Sequence, residues 1–258
     1  MPEIPDLESF RANLQKKLVG KRLLSMHLLK NARANVSQGA INKAVGNQVL
    51  KKIVRDGKEL HFIFANKKIL AIHLMLRGKL KWYEQEDVPK YSLATLTFNI
   101  PFRLAVTDVL RKANLTLNPE PSDVPDVLSS QANLAFWKKI LQTHATIKNV
   151  MRDQEVIRGI GNAYSDEILW QAKISPFSVA NKIPPAKIKT LVNTIKSVYT
   201  KAQKQIHKEQ PDIIGGEVRD FLKVHNSRKK KSPGGATIKV KTSGSSKTYY
   251  TDEQVLYK

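Results

Sequence analysis

The second residue of the chain is a proline and the third a glutamate. An initiator methionine is normally removed when so small a residue follows it, and its removal leaves Pro2 with a free secondary amine. Such an amine attacks an aldehyde-like carbon and forms an iminium that keeps its positive charge, an electron sink for elimination chemistry. An α-amine is partly neutral at pH 7, so it can act as a nucleophile there. Glu3, directly adjacent, can move a proton. An ordinary helix leader can also begin Met-Pro. A second candidate is VIRGIGNAYSDEILWQAKISP at 156–176. Gly159 and Gly161 flank Ile160 in a tight turn, and Asn162 opens the next helix. Backbone N–H groups at such a helix start can point at a phosphate, and Asn162 adds a side-chain donor. The same pattern also makes a plain helix–helix corner.

These groups need elements to hold them. Leu7, Phe10, Leu14 and Leu18 recur at helical spacing behind an acidic first turn, and Gly20 ends the run. From about 23 to 108 the period shortens. Stretches rich in β-branched and aromatic residues at 48–54, 60–65, 69–76, 79–84, 93–100 and 102–107 are separated by turn signals such as Asp56-Gly57 and Arg77-Gly78. Many short strands at close spacing predict a sandwich or barrel. The Pro-rich stretch NPEPSDVPDV follows as a linker, then helical patterns at about 131–143, 146–153, 162–172 and 186–208. In the last, Ile188, Leu191, Ile195, Val198, Ala202 and Ile206 form an apolar stripe opposite five lysines. At the end ATIKVKT alternates, with Ile238 and Val240 on one face and Lys239 and Lys241 on the other. SGSS turns the chain and KTYYT returns, a β-hairpin with a cationic face.

Among the 258 residues, 44 Lys and Arg face 22 Asp and Glu, a net charge of +22. Such an excess calls for a polyanion, with nucleic acid first and an anionic membrane second. The hydrophobic fraction of 41 % supports a real core rather than a disordered chain. Cysteine is absent, which excludes disulfides, thiolate metal sites and cysteine nucleophiles. The sequence has no apolar run long enough for a membrane span and no signal-peptide pattern, so an intracellular protein is expected.

PEIPDLE at the start, HLMLRGKL at 73–80 and GIGNAYSDEILWQAKISP at 159–176 occur in this order and at these separations. Together they resemble the formamidopyrimidine-DNA glycosylase / endonuclease VIII family of DNA repair enzymes, over essentially the whole chain. The resemblance implies an α+β fold. An N-terminal catalytic domain of helix plus β-sandwich would span 1–117, with a linker at 118–130, a helix-two-turn-helix domain at 131–227 and a finger hairpin at 228–258. It implies a bifunctional glycosylase and abasic-site lyase. Pro2 would attack the deoxyribose C1′ and expel the damaged base, and the resulting iminium would drive β- and δ-elimination. Glu3 would be the general acid/base that helps open the sugar. The family's second acid matches Asp6, one methylene shorter than the usual Glu.

Lys58 in the Gly57-Lys58 pair matches a lysine that contacts phosphates flanking the lesion. Lys148, 14 residues before Asn162, matches another DNA-contacting lysine, and Asn162 matches the asparagine that holds the phosphate of the flipped nucleotide. The partner of that asparagine is a finger arginine. Its position falls close to Ser246-Lys247, so Lys247 would supply the charge, without the fork of an arginine. The finger's four cysteines are missing, which looks like a zincless finger held by packing instead of metal. Of the residues that plug the hole left by an extruded base, HLMLRG puts Leu76 at the first position, and DVLRKA puts Leu110 and Lys112 at the other two. These departures look more like the endonuclease VIII-like branch, which prefers oxidised pyrimidines and ring-opened purines. The expected partner is damaged DNA, met by a monomer in the bacterial cytoplasm and nucleoid or in a nucleus, with no membrane, metal or diffusible cofactor. The alternative is a non-catalytic damaged-DNA binder that keeps the fold.

Overall fold

The computed structural model describes residues 1–84, 87–244 and 246–258. Ser245, part of the expected hairpin turn, lies outside them. The chain forms two compact units. The first comprises Met1–Pro121 and Ile206–Glu217, the second Ser122–Gln205 and Val218–Lys258.

The first unit is built around helix α1 (Ile4–Leu18), whose Leu7, Phe10, Leu14 and Leu18 are fully buried. A reciprocal capping box starts it. The Glu3 carboxylate accepts from the Asp6 N–H, and the Asp6 carboxylate accepts from the Glu3 N–H at 2.9 Å. Gly20, at φ +82°, then turns the chain away. Two sheets follow. One has the order β1 (Leu23–Leu28), β7 (Ser92–Phe98), β8 (Phe102–Thr107), β6 (Lys79–Glu84). The other runs β2 (Arg33–Ala34), β9 (Asn114–Leu117), β5 (Ile69–His73), β4 (Glu59–Phe64), β3 (Leu50–Asp56). All neighbours are antiparallel except β2 and β9. Backbone bonds from Leu23 N–H to Gln48 O and from Asn47 N–H to Leu23 O tie the start of β1 to the segment that leads into β3. The returning segment is stitched to α1, with the Asn13 amide donating to the carbonyls of Pro211 and Ile213.

Several elements differ from the periodicity. A register shift between Leu23 and Ser25 breaks the alternation of β1, so no strand shows there in the sequence. Helix α2 (Gln38–Val45) buries only Ile41 and Val45, too few for a stripe, and starts on the Ser37 hydroxyl, which accepts from Ala40 N–H. The strand expected to reach 76 stops at His73. Residues 74–78 fold back, with Gly78 N–H bonded to Leu74 O at 2.8 Å. A Cβ on Gly78 would lie 2.1 Å from that oxygen, so only glycine fits.

The second unit carries α3 (Leu134–Ile140), α4 (Ile147–Arg152), α5 (Asn162–Gln171), most of α6 (Pro185–Glu209) and the hairpin β10 (Lys239–Ser243)–β11 (Ser246–Tyr250). The apolar stripe of α6 is buried as expected. No described helix is long and apolar enough to cross a membrane.

The hairpin is held differently from expectation. Every residue of β10 is exposed, Val240 at 50 %, so the expected Ile238 and Val240 face does not secure it. The packing comes from β11 instead, with Tyr249 buried against His225 at 4.6 Å and Tyr250 edge-on to Phe177 at 4.9 Å. Polar bonds add to it. The Asp166 carboxylate on α5 accepts from the Tyr249 N–H at 2.9 Å, and Thr248 Oγ1 accepts from Lys148 at 2.9 Å. Below the hairpin, the Glu253 carboxylate accepts from Ser232 Oγ (2.6 Å), Trp170 Nε1 (2.8 Å), Lys173 Nζ (2.9 Å) and Thr251 Oγ1 (3.0 Å). It thereby clips both ends of the hairpin segment to α5. The cysteine-bound zinc of the family's finger does not fit this donor set of hydroxyls and one carboxylate.

These bonds, that from Ser232 foremost and those from Trp170 and Lys173 next, hold the Glu253 pKa down to about 2 from 4.5. A carboxylate depressed on folding stabilises the fold above its unfolded pKa, and that contribution fades as pH falls from about 4.5 through about 2. Glu253→Gln should lower stability at pH 7 by ~1–2 kcal/mol after solvent screening. It should also flatten the loss of stability between about pH 5 and about pH 2. Melting curves followed by tryptophan fluorescence across that range check both.

Candidate DNA-binding and catalytic site

In the first unit the strand register gathers the candidate groups at one end. Glu59 pairs with His73 and His73 with Asn114, while Lys79 pairs with Thr107. The β3–β4 turn, the 74–78 loop and the 108–113 loop therefore leave the two sheets at the same end. Lys58 sits in the first, Leu76 in the second, Leu110 and Lys112 in the third.

Each of these is positioned by a specific neighbour. Gly57, at φ +55°, makes the tight β3–β4 turn. Arg55 braces it, with Nε donating to Glu8 on α1 at 2.8 Å and Nη1 to Gly57 O at 2.9 Å. The turn that carries Lys58 is thus tied to the helix that Pro2 and Glu3 begin. Both Pro2 and Glu3 are buried, Glu3 at 3 % exposure, and the capping box fixes the Glu3 side chain at the helix start. Asp6 is completely buried and holds the Glu3 backbone. Although shorter than the family's usual acid, it still closes the capping box. The Met1 ammonium pairs with Glu217 of the returning segment.

Leu76 is 52 % exposed on its loop, as a wedge would require. The loop turns through Met75 at φ +52°, a left-handed conformation unusual for that residue. His73 Nδ1 compensates by accepting the Met75 N–H at 2.9 Å. Burial lowers the His73 pKa below 6.5, with the Lys58 ammonium adding to the effect and Glu59 opposing it. This keeps the imidazole neutral and Nδ1 open as an acceptor. The 108–113 loop has its own organiser. The buried Asp108 carboxylate accepts from the N–H groups of Leu110 (2.9 Å), Lys112 (2.7 Å) and Ala113 (2.8 Å). Leu110 is left 47 % exposed at the tip, with Lys112 also exposed.

In the second unit, Gly159 at φ +107° lets the chain enter α5, and Gly161 caps that helix. Asn162 is locked to the hairpin. Its Nδ2 donates to Lys247 O at 2.9 Å, and its Oδ1 accepts from Ser246 Oγ at 3.1 Å. The Lys247 side chain is exposed beside it. Lys148 is the correction. It is expected at DNA but is only 4 % exposed, and its ammonium is bound to Asp166 at 2.5 Å and to Thr248. A spacing of 14 residues places it on α4, yet a phosphate contact needs an ammonium offered to solvent. Here Lys148 ties α4 to α5 and β11 instead. The other oxygen of Asp166 lies 2.7 Å from His225 Nδ1.

Sequence reasoning missed His73, Arg55, Asp108 and Arg152. The first lies inside a quoted motif with no partner in view. The last donates from Nη1 to Ser246 Oγ at 3.1 Å, across 94 residues of sequence.

Two family profiles match consecutive parts of the chain. The formamidopyrimidine-DNA glycosylase N-terminal domain matches residues 1–115, and the formamidopyrimidine-DNA glycosylase H2TH domain matches residues 120–211. The formamidopyrimidine-DNA glycosylase of Enterococcus faecalis is 29 % identical over 221 residues, covering 78 % of this chain and 76 % of that one. That of Lactiplantibacillus plantarum is 30 % identical over 206 residues, covering 76 % and 75 %. The wild-type Lactococcus lactis Fpg (MutM), solved in complex with DNA containing N7-benzyl-Fapy-dG, is 25 % identical. It superposes with a TM-score of 0.85 over 98 % of this chain and 99 % of its own. With both domains matched and similarity running through most of its length, the chain belongs to the formamidopyrimidine-DNA glycosylase family.

Proposed function

We propose that this protein is a DNA glycosylase and abasic-site lyase of base excision repair, working as a monomer on oxidatively damaged DNA. The observation that carries the reading is Glu3. It is an acid fixed by a capping box at the start of α1 and directly follows Pro2, in a chain whose family relatives are named for glycosylase activity. Removal of Met1 frees the Pro2 amine. That amine attacks C1′ of the damaged nucleotide, the C1′–N bond to the base breaks, and the base leaves with a proton. Glu3 protonates the ring oxygen as the sugar opens, leaving a Pro2 iminium. Loss of a C2′ proton then expels the 3′ phosphate, and a second elimination releases the 5′ phosphate. Water hydrolyses the iminium and restores the amine.

Leu76 fills the space left by the extruded base, with Leu110 and Lys112 at the opposite strand. An apolar residue in place of a reader of the orphan base implies weak opposite-base discrimination. The names of the relatives favour ring-opened purines, a class the endonuclease VIII-like branch also accepts. The missing finger cysteines and the altered 108–113 loop support an endonuclease VIII-like range that adds oxidised pyrimidines. Lys58, Asn162 and Lys247 engage backbone phosphates, and the zincless finger needs no metal.

Borohydride trapping on a duplex with one abasic site tests the central step, using protein whose N-terminus has been verified by mass. A covalent adduct mapping to Pro2 is expected. Tight binding with an intact Pro2 and no adduct would instead make the protein a non-catalytic damage binder. Glu3→Gln keeps a cap acceptor, so it should retain DNA binding while base excision falls by roughly 10²–10⁴-fold. Single-turnover excision on a ring-opened purine duplex measures this, and wild-type rates would remove Glu3 from the mechanism. Wild-type affinity should fall with salt at a log–log slope of about −5 to −6, as for 5–7 phosphates. Asp108→Ala should speed amide exchange of Leu110, Lys112 and Ala113 and weaken binding to abasic duplex more than to undamaged duplex.

A further inference from the structure

The finger position that the family fills with an arginine falls here at Ser246-Lys247, and no arginine occurs between 229 and 258. One nevertheless reaches the same place from another element. Arg152, the last residue of α4, donates from Nη1 to Ser246 Oγ at 3.1 Å. Ser246 Oγ in turn donates to Asn162 Oδ1 at 3.1 Å. This chain of bonds sets the orientation of the Asn162 amide. Oδ1 is used on the serine, and Nδ2 spends one hydrogen on Lys247 O. The second Nδ2 hydrogen and four of the five guanidinium N–H groups of Arg152 have no acceptor among the described residues. No carboxylate there pairs with Arg152. Asp153, the adjacent acid, has one oxygen engaged by the Glu155 N–H.

The separation of the two donors is fixed by a third residue. Gln154 Nε2 donates to Arg152 O at 2.8 Å and to Ile160 O at 3.0 Å, and its Oε1 accepts from Gly159 N–H at 3.0 Å. One side chain therefore spaces the end of α4 against the turn that leads into Asn162. A guanidinium without a counter-ion next to an oriented amide and an exposed lysine is suited to a phosphodiester, whose two non-bridging oxygens accept a fork of donors.

We propose that Arg152 replaces the finger arginine as the guanidinium that, with Asn162, grips the DNA phosphate beside the extruded nucleotide. The proposal rests on the glycosylase reading above. Arg152 is a positioning residue: it holds the backbone and leaves the chemistry to the first unit.

The test measures binding of wild type, Arg152→Ala, Arg152→Gln and Arg152→Lys to a duplex with a tetrahydrofuran abasic analogue. Matched duplexes carry a single neutral methylphosphonate at each phosphate flanking the site. Arg152→Ala should weaken binding to the unmodified abasic duplex about tenfold. It should also reduce the salt slope by about one. One methylphosphonate duplex should weaken wild type by a similar factor and show no further loss with Arg152→Ala. Arg152→Lys should fall in between. Arg152→Gln keeps a donor for Ser246 without the charge, and it should be as weak as Arg152→Ala.

Wild-type binding by Arg152→Ala would overturn the proposal. So would recovery by Arg152→Gln, or an equal loss on every methylphosphonate duplex, either of which marks a strut for the hairpin. If the alanine variant melts early, the glutamine and lysine variants carry the same comparison. A failure of the glycosylase reading looks different: wild type itself would neither prefer abasic to undamaged duplex nor cut it.

Discussion

The second unit depends on one buried carboxylate. Asp166 is 1 % exposed and meets Lys148 from α4, His225 from the chain beyond α6 and the Tyr249 N–H from β11. Breaking one arm of such an arrangement leaves a buried charge short of partners and costs on the order of 3–5 kcal/mol. The intact arrangement adds little over apolar packing, so its value lies in selecting one geometry. Asn162 and Asp166 are four residues apart on α5, one turn and about 6 Å along the helix. Lys247 and Tyr249 are two apart on β11, on one face and about 6.7 Å along the strand. The two spacings match. Asn162 takes the carbonyl of Lys247, Asp166 takes the N–H of Tyr249, and these two bonds set the register of a hairpin whose β10 strand is exposed throughout.

The first unit poses a different problem, that of shaping loops that carry exposed leucines. Leu76 and Leu110 stand 52 % and 47 % exposed on their loops. Both loops pass through residues in left-handed conformations, Met75 and Arg111. Such strain costs of order 1–3 kcal/mol per residue and persists only where the surroundings over-determine it. Here they do, through a neutral histidine under Met75 and a carboxylate with three N–H donors under the 108–113 loop. Arg55 does the same for the Lys58 turn by anchoring it to α1. Each organiser reaches no further than its own loop or the adjoining helix, and the sheet register brings the three loops to one end.

Features written in contiguous residues were legible in the sequence. The Asp56-Gly57 turn, the stripe of α6, the α1 periodicity and the glycines before Asn162 all stand where their patterns put them. Local structure that lacks a pattern was not legible. The bulge in β1 breaks its alternation, and α2 is too short to show a face. Roles set by distant partners were equally hidden. Lys148 and Lys58 look alike as lone lysines, yet Asp166 draws the first inward while the second rides a surface turn. Arg152 reads as one charge among 44, because its significance comes from Ser246, 94 residues later.

On the proposed zincless reading, hydrogen bonds in place of a metal change how the finger behaves as well as how it is held. A zinc site secures its hairpin whether or not DNA is present. Here Glu253 clips the base of the hairpin and Asp166 sets its middle, while its tip is joined to the rest through Asn162, Ser246 and Arg152. On the proposed clamp, two of those three side chains also bind phosphate. DNA that engages Arg152 and Asn162 then orders the tip, and a well-ordered tip presents both donors in the geometry the phosphate needs. The coupling is reciprocal by linkage, so whatever loosens the hairpin must weaken DNA binding by the same factor that DNA tightens the hairpin. On that reading the finger gives up some unliganded rigidity and ties the order it regains to the presence of DNA.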